Sequence, residues 1–125
     1  MFSCGGGNMK TGTDTVEVSR FIRSVTRNHG RLRDRLFTPE ELVCNPGDRD
    51  LAVMFSAKES VAKALGTGFG PFLSWHDIQI FINGSRLKAQ LSGPALALAG
   101  NCEIHISAAW GENTSFTFAL LTERE

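Results

Sequence analysis

Residues 55–70, FSAKESVAKALGTGFG, decide how the rest of the chain is arranged. The first eleven, from Phe55 to Leu65, favour a helix because they combine alanine, leucine and charged residues without proline or glycine. Gly66 then predicts the end of the helix, and the glycines that follow it keep the next loop open. Phe55, Val61, Ala62 and Leu65 recur at helical spacing, which indicates one buried face.

Two charged residues of this helix, Glu59 and Lys63, are four positions apart and therefore share one face. One interpretation is a surface ion pair, which stabilises a helix by only a few tenths of a kcal/mol. The other is a carboxylate for a hard metal ion beside an amine for a phosphate, next to a glycine-rich loop. The helix alone leaves both interpretations open.

The chain has 125 residues and a mass of 13.6 kDa, which indicates one domain. We interpret residues 1–10, MFSCGGGNMK, as a flexible leader and residues 11–125 as the domain. No apolar run approaches the length of a membrane span, and no secretory signal is evident. The three cysteines are distant and odd in number, which argues against a disulfide framework and favours a cytoplasmic location.

The formal net charge is zero, but the charges are segregated. Residues 20–35 contain six arginines and one aspartate, a net charge of +5, so the rest of the chain carries −5. Val18, Phe21, Ile22 and Val25 predict an amphipathic helix in this region, with Arg20, Arg23 and Arg27 on one side. Arg31 and Arg35 would extend the row if the helix continued past Gly30.

A solvated arginine face is the commoner meaning of such a row, and an acidic partner is the alternative. No aromatic residues interleave with the arginines, and the overall charge is not basic, so we expect no nucleic-acid partner.

The remaining segments predict an α+β fold. Residues 11–18 favour a strand, in which Asp14 is unusual and is explained either by a function or by capping of the next helix. Thr38, Pro39 and Glu41 predict a capped helix start. Strands are expected at 75–82, 86–91, 103–110 and 115–121, with a short helix from Gly93 to about Gly100. The result is an antiparallel sheet with a long central helix.

These segments resemble the holo-acyl-carrier-protein synthase family, a group of 4′-phosphopantetheinyl transferases. The matching segments are TGTDTVEVSRF at 11–21, LFTPEEL at 36–42, MFSAKESVAKALGTGFG at 54–70, SWHDIQI at 74–80 and HIS at 105–107. They follow the family's order and span nearly the whole chain after the leader.

The resemblance implies a phosphopantetheinyl transferase-like fold and a transfer of the phosphopantetheine arm of coenzyme A to a serine of an apo-acyl carrier protein. It implies that Asp14 and Glu59 hold Mg²⁺ and that Lys63 contacts the phosphates, so that these three are the catalytic residues. Gly66, Thr67 and Gly68 match a loop that lines the coenzyme A site, together with Lys63. Arg20 and Arg27 match residues that grip the acidic carrier protein.

Two further expectations come with the resemblance. The first is a homotrimer with active sites between subunits and no contact with membranes. The second concerns the serine proton, which is accepted by Glu59 or by a water on the metal.

The chain departs from the family pattern near the end of the 103–110 strand. Ser107 matches, but Ala109 replaces a second hydroxyl and Trp110 replaces a histidine that belongs to the coenzyme A side of the site. Trp110 could stack on adenine instead. An alternative function is therefore a catalytically silent paralogue that binds a carrier protein or coenzyme A. The type of carrier protein stays open.

Overall fold

The computed structural model describes residues 9–124, so most of the predicted leader lies outside the described residues. Lys10, the last residue of that leader, already belongs to the first strand. The elements are β1 (Lys10–Glu17), α1 (Val18–Thr26), α2 (Arg31–Leu36), α3 (Pro39–Leu42), α4 (Asp48–Ala64), β2 (Ile78–Asn83), β3 (Arg86–Leu91), α5 (Gly93–Ala99), β4 (Cys102–Trp110) and β5 (Thr114–Glu123). The predicted α+β class and the antiparallel pairing are confirmed.

The strands form two sheets, one in the order β1-β5-β4 and one containing β2 and β3. All pairs are antiparallel, and β5 is the central strand of the larger sheet. In its register, Asp14 of β1 lies opposite Thr117 of β5, and Thr117 lies opposite Ala108 of β4. The backbone of β1, including Asp14, is therefore paired with the central strand β5 along the whole length of β1.

Helix α4 packs across one face of the larger sheet and is buried around most of its circumference. Polar contacts supplement the apolar ones, because the hydroxyl of Thr117 hydrogen-bonds to Ser56 at 2.8 Å and to Ser60 at 2.7 Å. Ser56 Oγ also donates to the carbonyl oxygen of Asp14 at 3.2 Å. These bonds fix the rotation and height of α4 relative to β1 and β5.

The contact between α4 and β1 requires a glycine at position 12. A Cβ atom added to Gly12 would lie 2.1 Å from the carbonyl oxygen of Ser60 and 2.8 Å from the backbone nitrogen of Ala64. The helix backbone thus rests directly on the strand two residues before Asp14. This close approach brings the last turns of α4 to Asp14.

Two elements begin at least three residues away from their predicted starts. Helix α4 begins at Asp48, about two turns before Phe55, since Gly47 and two aspartates form a favourable first turn. Strand β2 begins at Ile78, and not at Trp75, because Ser74 and Asp77 cap a short 3₁₀ turn over Trp75–Asp77. By contrast, the capping box of Thr38 and Glu41 is confirmed at the start of α3.

The arginine row does not continue past Gly30. Asn28, His29 and Gly30 have positive φ angles of 53°, 57° and 79°, so the chain turns and α2 begins in a new direction. The condition for extending the row through Arg31 and Arg35, a helix that continues past Gly30, is therefore not met. All six arginines of this region are nevertheless exposed.

Within the described residues, Cys44 is an exposed free thiol. Within residues 9–124, no helix is both long and apolar enough to cross a lipid bilayer.

Candidate active site

Asp14 and Lys63 meet where β1 lies against the last turn of α4. The ammonium nitrogen of Lys63 is 3.0 Å from Oδ1 of Asp14 and also donates to the carbonyl oxygen of Thr13 at 3.0 Å. The side chain of Asp14 is 15% exposed and that of Lys63 is 48% exposed, so the pair faces solvent from the lysine side. Two residues that are 49 positions apart in sequence thus form one charged cluster.

Asp14 does not cap α1, so that alternative explanation is wrong. The first turn of α1 is instead capped from the turn before β5, where the side chain of Asn113 accepts a hydrogen bond from the backbone of Ser19 at 3.0 Å. The second oxygen of Asp14, Oδ2, is buried and has no hydrogen-bond partner within the described residues. A buried carboxylate oxygen without a donor is costly unless a ligand completes its environment.

Glu59 lies one helical turn before Lys63 and belongs to the same cluster. Burial raises the pKa of the Glu59 carboxyl, and the negative charge of Asp14 raises it further, whereas Lys63 acts in the opposite direction. Within the described residues, Lys63 forms its ion pair with Asp14. The surface ion pair with Glu59, one of the two interpretations of the sequence, is not formed there. The cluster holds two carboxylates and one ammonium.

The arrangement of these carboxylates suits a hard divalent cation. Asp14 supplies a buried oxygen without a partner among the described residues, and its negative charge raises the pKa of the Glu59 carboxyl. No group of three or more histidine, cysteine or acidic residues with metal-site geometry occurs within residues 9–124. A cation here would need further oxygens from a substrate or from water, as Mg²⁺ typically does.

The glycine loop begins directly after α4. Gly66 and Gly68 have φ angles of 92° and 63°, backbone conformations that residues with a side chain rarely adopt. Their backbone N–H groups donate to the carbonyl oxygens of Lys63 at 3.0 Å and Ala62 at 3.2 Å, so they are occupied by the helix end. The hydroxyl of Thr67 donates to the carbonyl oxygen of Gly68 at 3.0 Å.

A phosphate at this loop would face the carbonyl end of α4, which carries a partial negative charge. The loop therefore differs from phosphate-binding loops at helix N-termini, where free N–H groups hold the anion. Lys63, in the last turn of α4, is the positive group nearest in sequence that can offset this field.

A buried ion pair beneath the cluster was not predicted. The ammonium of Lys58 is fully buried and lies 2.8 Å from Oε1 of Glu41, whose side chain is also fully buried. Lys58 donates as well to the carbonyl oxygen of Trp75 at 3.0 Å, and Glu41 Oε2 accepts from the backbone of Ile80 at 2.8 Å. Burial lowers the pKa of Lys58, and Glu41 partly counteracts this effect.

This pair ties α4 to α3 and β2 on the side away from the larger sheet. Because Lys58 directly precedes Glu59, the pair also limits how far α4 can rotate at the cluster. The capping box of Thr38 and Glu41 was a visible signal for a buried Glu41, but nothing local marked Lys58 as its partner.

Four aromatic rings connect the arginine-bearing helix to the glycine loop. Phe21 of α1 stacks on Phe55 of α4 with ring centroids 4.6 Å apart, and Phe55 stacks on Trp75 at 5.3 Å. Trp75 in turn stacks on Phe69, between Gly68 and Gly70, at 3.7 Å. We call these rings the aromatic stack.

The other predicted site residues lie on α1 and at the end of β4. Arg20 is on α1 and Arg27 follows its last turn, and both are exposed. Trp110, at the end of β4, is 49% exposed and lies under the guanidinium of Arg49, 5.0 Å from the ring centroid. Arg49 and Lys63 are fourteen residues apart on α4, about 21 Å at the helical rise. Within one subunit, Trp110 and the glycine loop are therefore at opposite ends of α4.

Comparison with known proteins identifies this arrangement. The sequence profile of the 4′-phosphopantetheinyl transferase superfamily matches residues 10–117. A holo-[acyl-carrier-protein] synthase of Beutenbergia cavernae is 45% identical over 89 residues, which cover 70% of this chain and 72% of the relative. A protein of the same name from Geotalea daltonii is 35% identical over 120 residues, covering 89% of this chain and 95% of the relative.

Solved structures agree with the sequence relatives. The crystal structure of holo-[acyl-carrier-protein] synthase from Neisseria meningitidis superimposes with a TM-score of 0.78 at 30% identity, covering 91% of this chain and 98% of that one. The Helicobacter pylori synthase in complex with coenzyme A gives a TM-score of 0.79 at 25% identity, covering 90% and 99%. The chain belongs to the holo-[acyl-carrier-protein] synthase family of 4′-phosphopantetheinyl transferases.

Proposed function

We propose that this protein transfers the 4′-phosphopantetheine group of coenzyme A to a serine of an apo-acyl carrier protein. The observation that carries the proposal is the convergence of Asp14, Glu59 and Lys63 where β1 meets α4. In this reaction the serine oxygen bonds to the phosphorus of the phosphopantetheine, the bond from that phosphorus to the leaving phosphate breaks, and 3′,5′-ADP departs. The serine proton is lost in the same step.

Asp14 and Glu59 are proposed to hold Mg²⁺. The unpartnered Asp14 Oδ2 and the mutual repulsion of the two carboxylates support this assignment. When bound, Mg²⁺ neutralises negative charge on the phosphate oxygens of the substrate.

Lys63 is proposed to stabilise the leaving phosphate, and Glu59 is the protein's own acceptor for the serine proton. In the metal-free protein, burial and the charge of Asp14 raise the pKa of the Glu59 carboxyl above its ordinary value, which favours uptake of a proton. Gly66, Thr67 and Gly68 are proposed to line the coenzyme A site through the open shape of their loop, since their glycine N–H groups are already used.

The exposed arginines are proposed to bind the acyl carrier protein, with Arg20 and Arg27 as the principal contacts. Among the described residues, the ion pair found for this region is the weak, exposed contact of Arg33 with Asp34 at 3.9 Å. The other arginines are left for an acidic partner, which fits the segregation of charge in the chain. We expect no nucleic acid or membrane at this surface.

A homotrimer with active sites between subunits is part of the proposal. The face of the larger sheet opposite α4 carries Phe116, which is 45% exposed, with the partly buried Phe118 and Leu120 in the same row. An apolar row in the centre of a sheet favours burial against another copy. The distance of Trp110 from the glycine loop within one subunit also favours a site that a second subunit completes. The cytoplasmic location stays a prediction.

The proposal is tested by intact mass spectrometry of an apo-acyl carrier protein after incubation with this protein, coenzyme A and Mg²⁺. We expect a gain of one phosphopantetheine that is abolished by a chelator and by the variants Asp14→Ala and Glu59→Ala. Glu112→Ala, an exposed acid in the turn before β5, is the matched control and should behave as wild type. Full activity of the double variant Asp14→Ala/Glu59→Ala would refute the assignment of the site.

Carrier docking is tested with charge reversals. Arg20→Glu and Arg27→Glu should raise KM for the carrier protein by about tenfold at low salt, with a smaller effect at high salt. Arg86→Glu, on the exposed side of β3, is the matched control. Binding of carrier protein or coenzyme A without any transfer, across several carriers, would favour the silent paralogue that Ala109 and Trp110 suggest.

A further inference from the structure

The Lys63 ammonium already occupies one oxygen, Oδ1, of the carboxylate that a metal ion would bind. It lies 3.0 Å from Asp14 Oδ1, and the carbonyl oxygen of Thr13, also at 3.0 Å, holds it in place. The neighbouring Oδ2 is buried and without a partner in the described part of the chain. Lys63 therefore neutralises one side of Asp14 and leaves the other side incomplete.

The charges of the cluster favour loss of the contact between Lys63 and Asp14 when a divalent cation binds. Asp14 and Glu59 bring two negative charges, and Lys63 brings one positive charge. A divalent cation balances both carboxylates by itself, and it repels an ammonium group bound to the same carboxylate. The two cations therefore compete for Asp14.

The side chain of Lys63 is free to move away from Asp14. Its side chain is half exposed, and it is long and flexible, in contrast to Lys58, which is fully buried and held by Glu41. Its Cα lies in the last turn of α4, immediately before the glycine loop. An ammonium released from Asp14 remains beside the surface where an anionic substrate is proposed to bind.

We propose that Lys63 is a placeholder cation, which neutralises Asp14 in the metal-free protein and is exchanged for a divalent cation when the site is loaded. The exchange frees the ammonium for the phosphates of the substrate, so that metal binding prepares the lysine for its second role. This inference rests on the proposed function and concerns the order of events at the same site.

The first test measures the affinity of the protein for Mn²⁺ alone, without coenzyme A, from the free-ion signal in electron paramagnetic resonance. Lys63→Met removes the competitor and should tighten Mn²⁺ binding about threefold to tenfold, the range for a partly exposed charged hydrogen bond. Lys63→Arg keeps a competing cation and should stay within about twofold of wild type. Lys88→Met, an exposed lysine on β3, is the control for simple loss of charge and should not change binding.

The second test follows the amine itself in the wild-type protein. The chain has four lysines, so amine-specific labelling with peptide mass spectrometry resolves each of them. Mg²⁺ should accelerate labelling of Lys63, while the exposed Lys10 and Lys88 serve as internal standards that do not change. A cation that bound beside an intact ion pair would leave labelling of Lys63 constant or slow it.

The outcomes separate this inference from the proposed function. Metal binding and transfer with no change in Lys63 labelling overturn the exchange and leave the transferase intact. The same conclusion follows if Lys63→Met binds Mn²⁺ no more tightly than wild type. Transfer that continues in chelator, with no Mn²⁺ bound by either protein, removes the metal and the placeholder together but keeps the transferase.

Discussion

Replacement of Gly12 by alanine should separate the two halves of the candidate site. The added Cβ would lie 2.1 Å from the carbonyl oxygen of Ser60, whereas an ordinary contact is 3.4–4 Å, and 3.0 Å from Cβ of Lys63. The atoms that it meets are backbone atoms of α4, which do not rotate away. Helix and strand must therefore move apart by roughly 1 Å at a position two residues from Asp14.

The expected cost follows from this displacement. Overpacking of this kind destabilises a protein by about 1–3 kcal/mol, which for a domain of this size lowers the melting temperature by roughly 4–12 °C. Glu59 and Lys63 flank the displaced turn of α4, so their distances from Asp14 change as well. A misplacement of about 1 Å can reduce a catalysed rate by about a hundredfold.

Two measurements on each variant check this prediction. Calorimetry gives the melting temperature, and the mass-spectrometric transfer assay gives the rate at a temperature where the variant remains folded. Gly111→Ala is the matched control, because its Cβ meets no atom within 4 Å and its φ is not positive. If Gly12→Ala melts within about 1 °C of that control and keeps its rate, the argument that the helix must rest on the strand is refuted.

Three further predictions address the buried pair, the charge of the cluster and the exposed face of the larger sheet. Lys58→Met leaves the fully buried Glu41 without its partner and should lower the free energy of unfolding, measured in urea, by about 3–5 kcal/mol. The double variant Lys58→Met/Glu41→Gln should recover part of this loss. Equal losses in the two variants would contradict the pairing. The pKa of Glu59 is raised in the folded state, so its contribution is most favourable at acidic pH and is lost as the pH rises through that pKa. Metal-free Glu59→Gln should therefore melt higher than wild type at pH 7 and match it near pH 4; the prediction fails if the difference is independent of pH. Phe116→Glu should reduce the mass measured by light scattering to that of a monomer, while Phe72→Glu, which changes a more exposed phenylalanine in a loop, should not.

Local signals predicted local structure well. The box formed by Thr38 and Glu41, the turn before Arg86 and the alternating isoleucines of β2 all appear where the sequence placed them, because each depends on residues within a few positions. The start of β2 was misplaced because Ser74 and Asp77 form a competing short-range cap. The start of α4 was missed because its first turn is polar and lacks the apolar period of the rest.

The contacts within the site could not be predicted from the periodicity of the sequence. Glu59 and Lys63 share a helical face in the sequence, but the partner of Lys63 is Asp14, 49 positions away, and only the family resemblance linked them. Lys58 and Glu41, 17 positions apart, were linked neither by periodicity nor by the resemblance. A lysine in an alanine-rich helix favours solvent on average, so its burial follows from tertiary packing that no single segment encodes.

The aromatic stack makes the fluorescence of Trp75 sensitive to the position of the glycine loop. Trp75 is sandwiched between Phe55 and Phe69, and Phe69 is part of the loop itself. Any shift of the loop must slide one ring across another and alter the polarity and quenching around the indole. The chain has only two tryptophans, so Trp110→Phe would leave Trp75 as the single emitter. Its fluorescence would then report loop movement in real time, without an attached dye, during each encounter with a nucleotide.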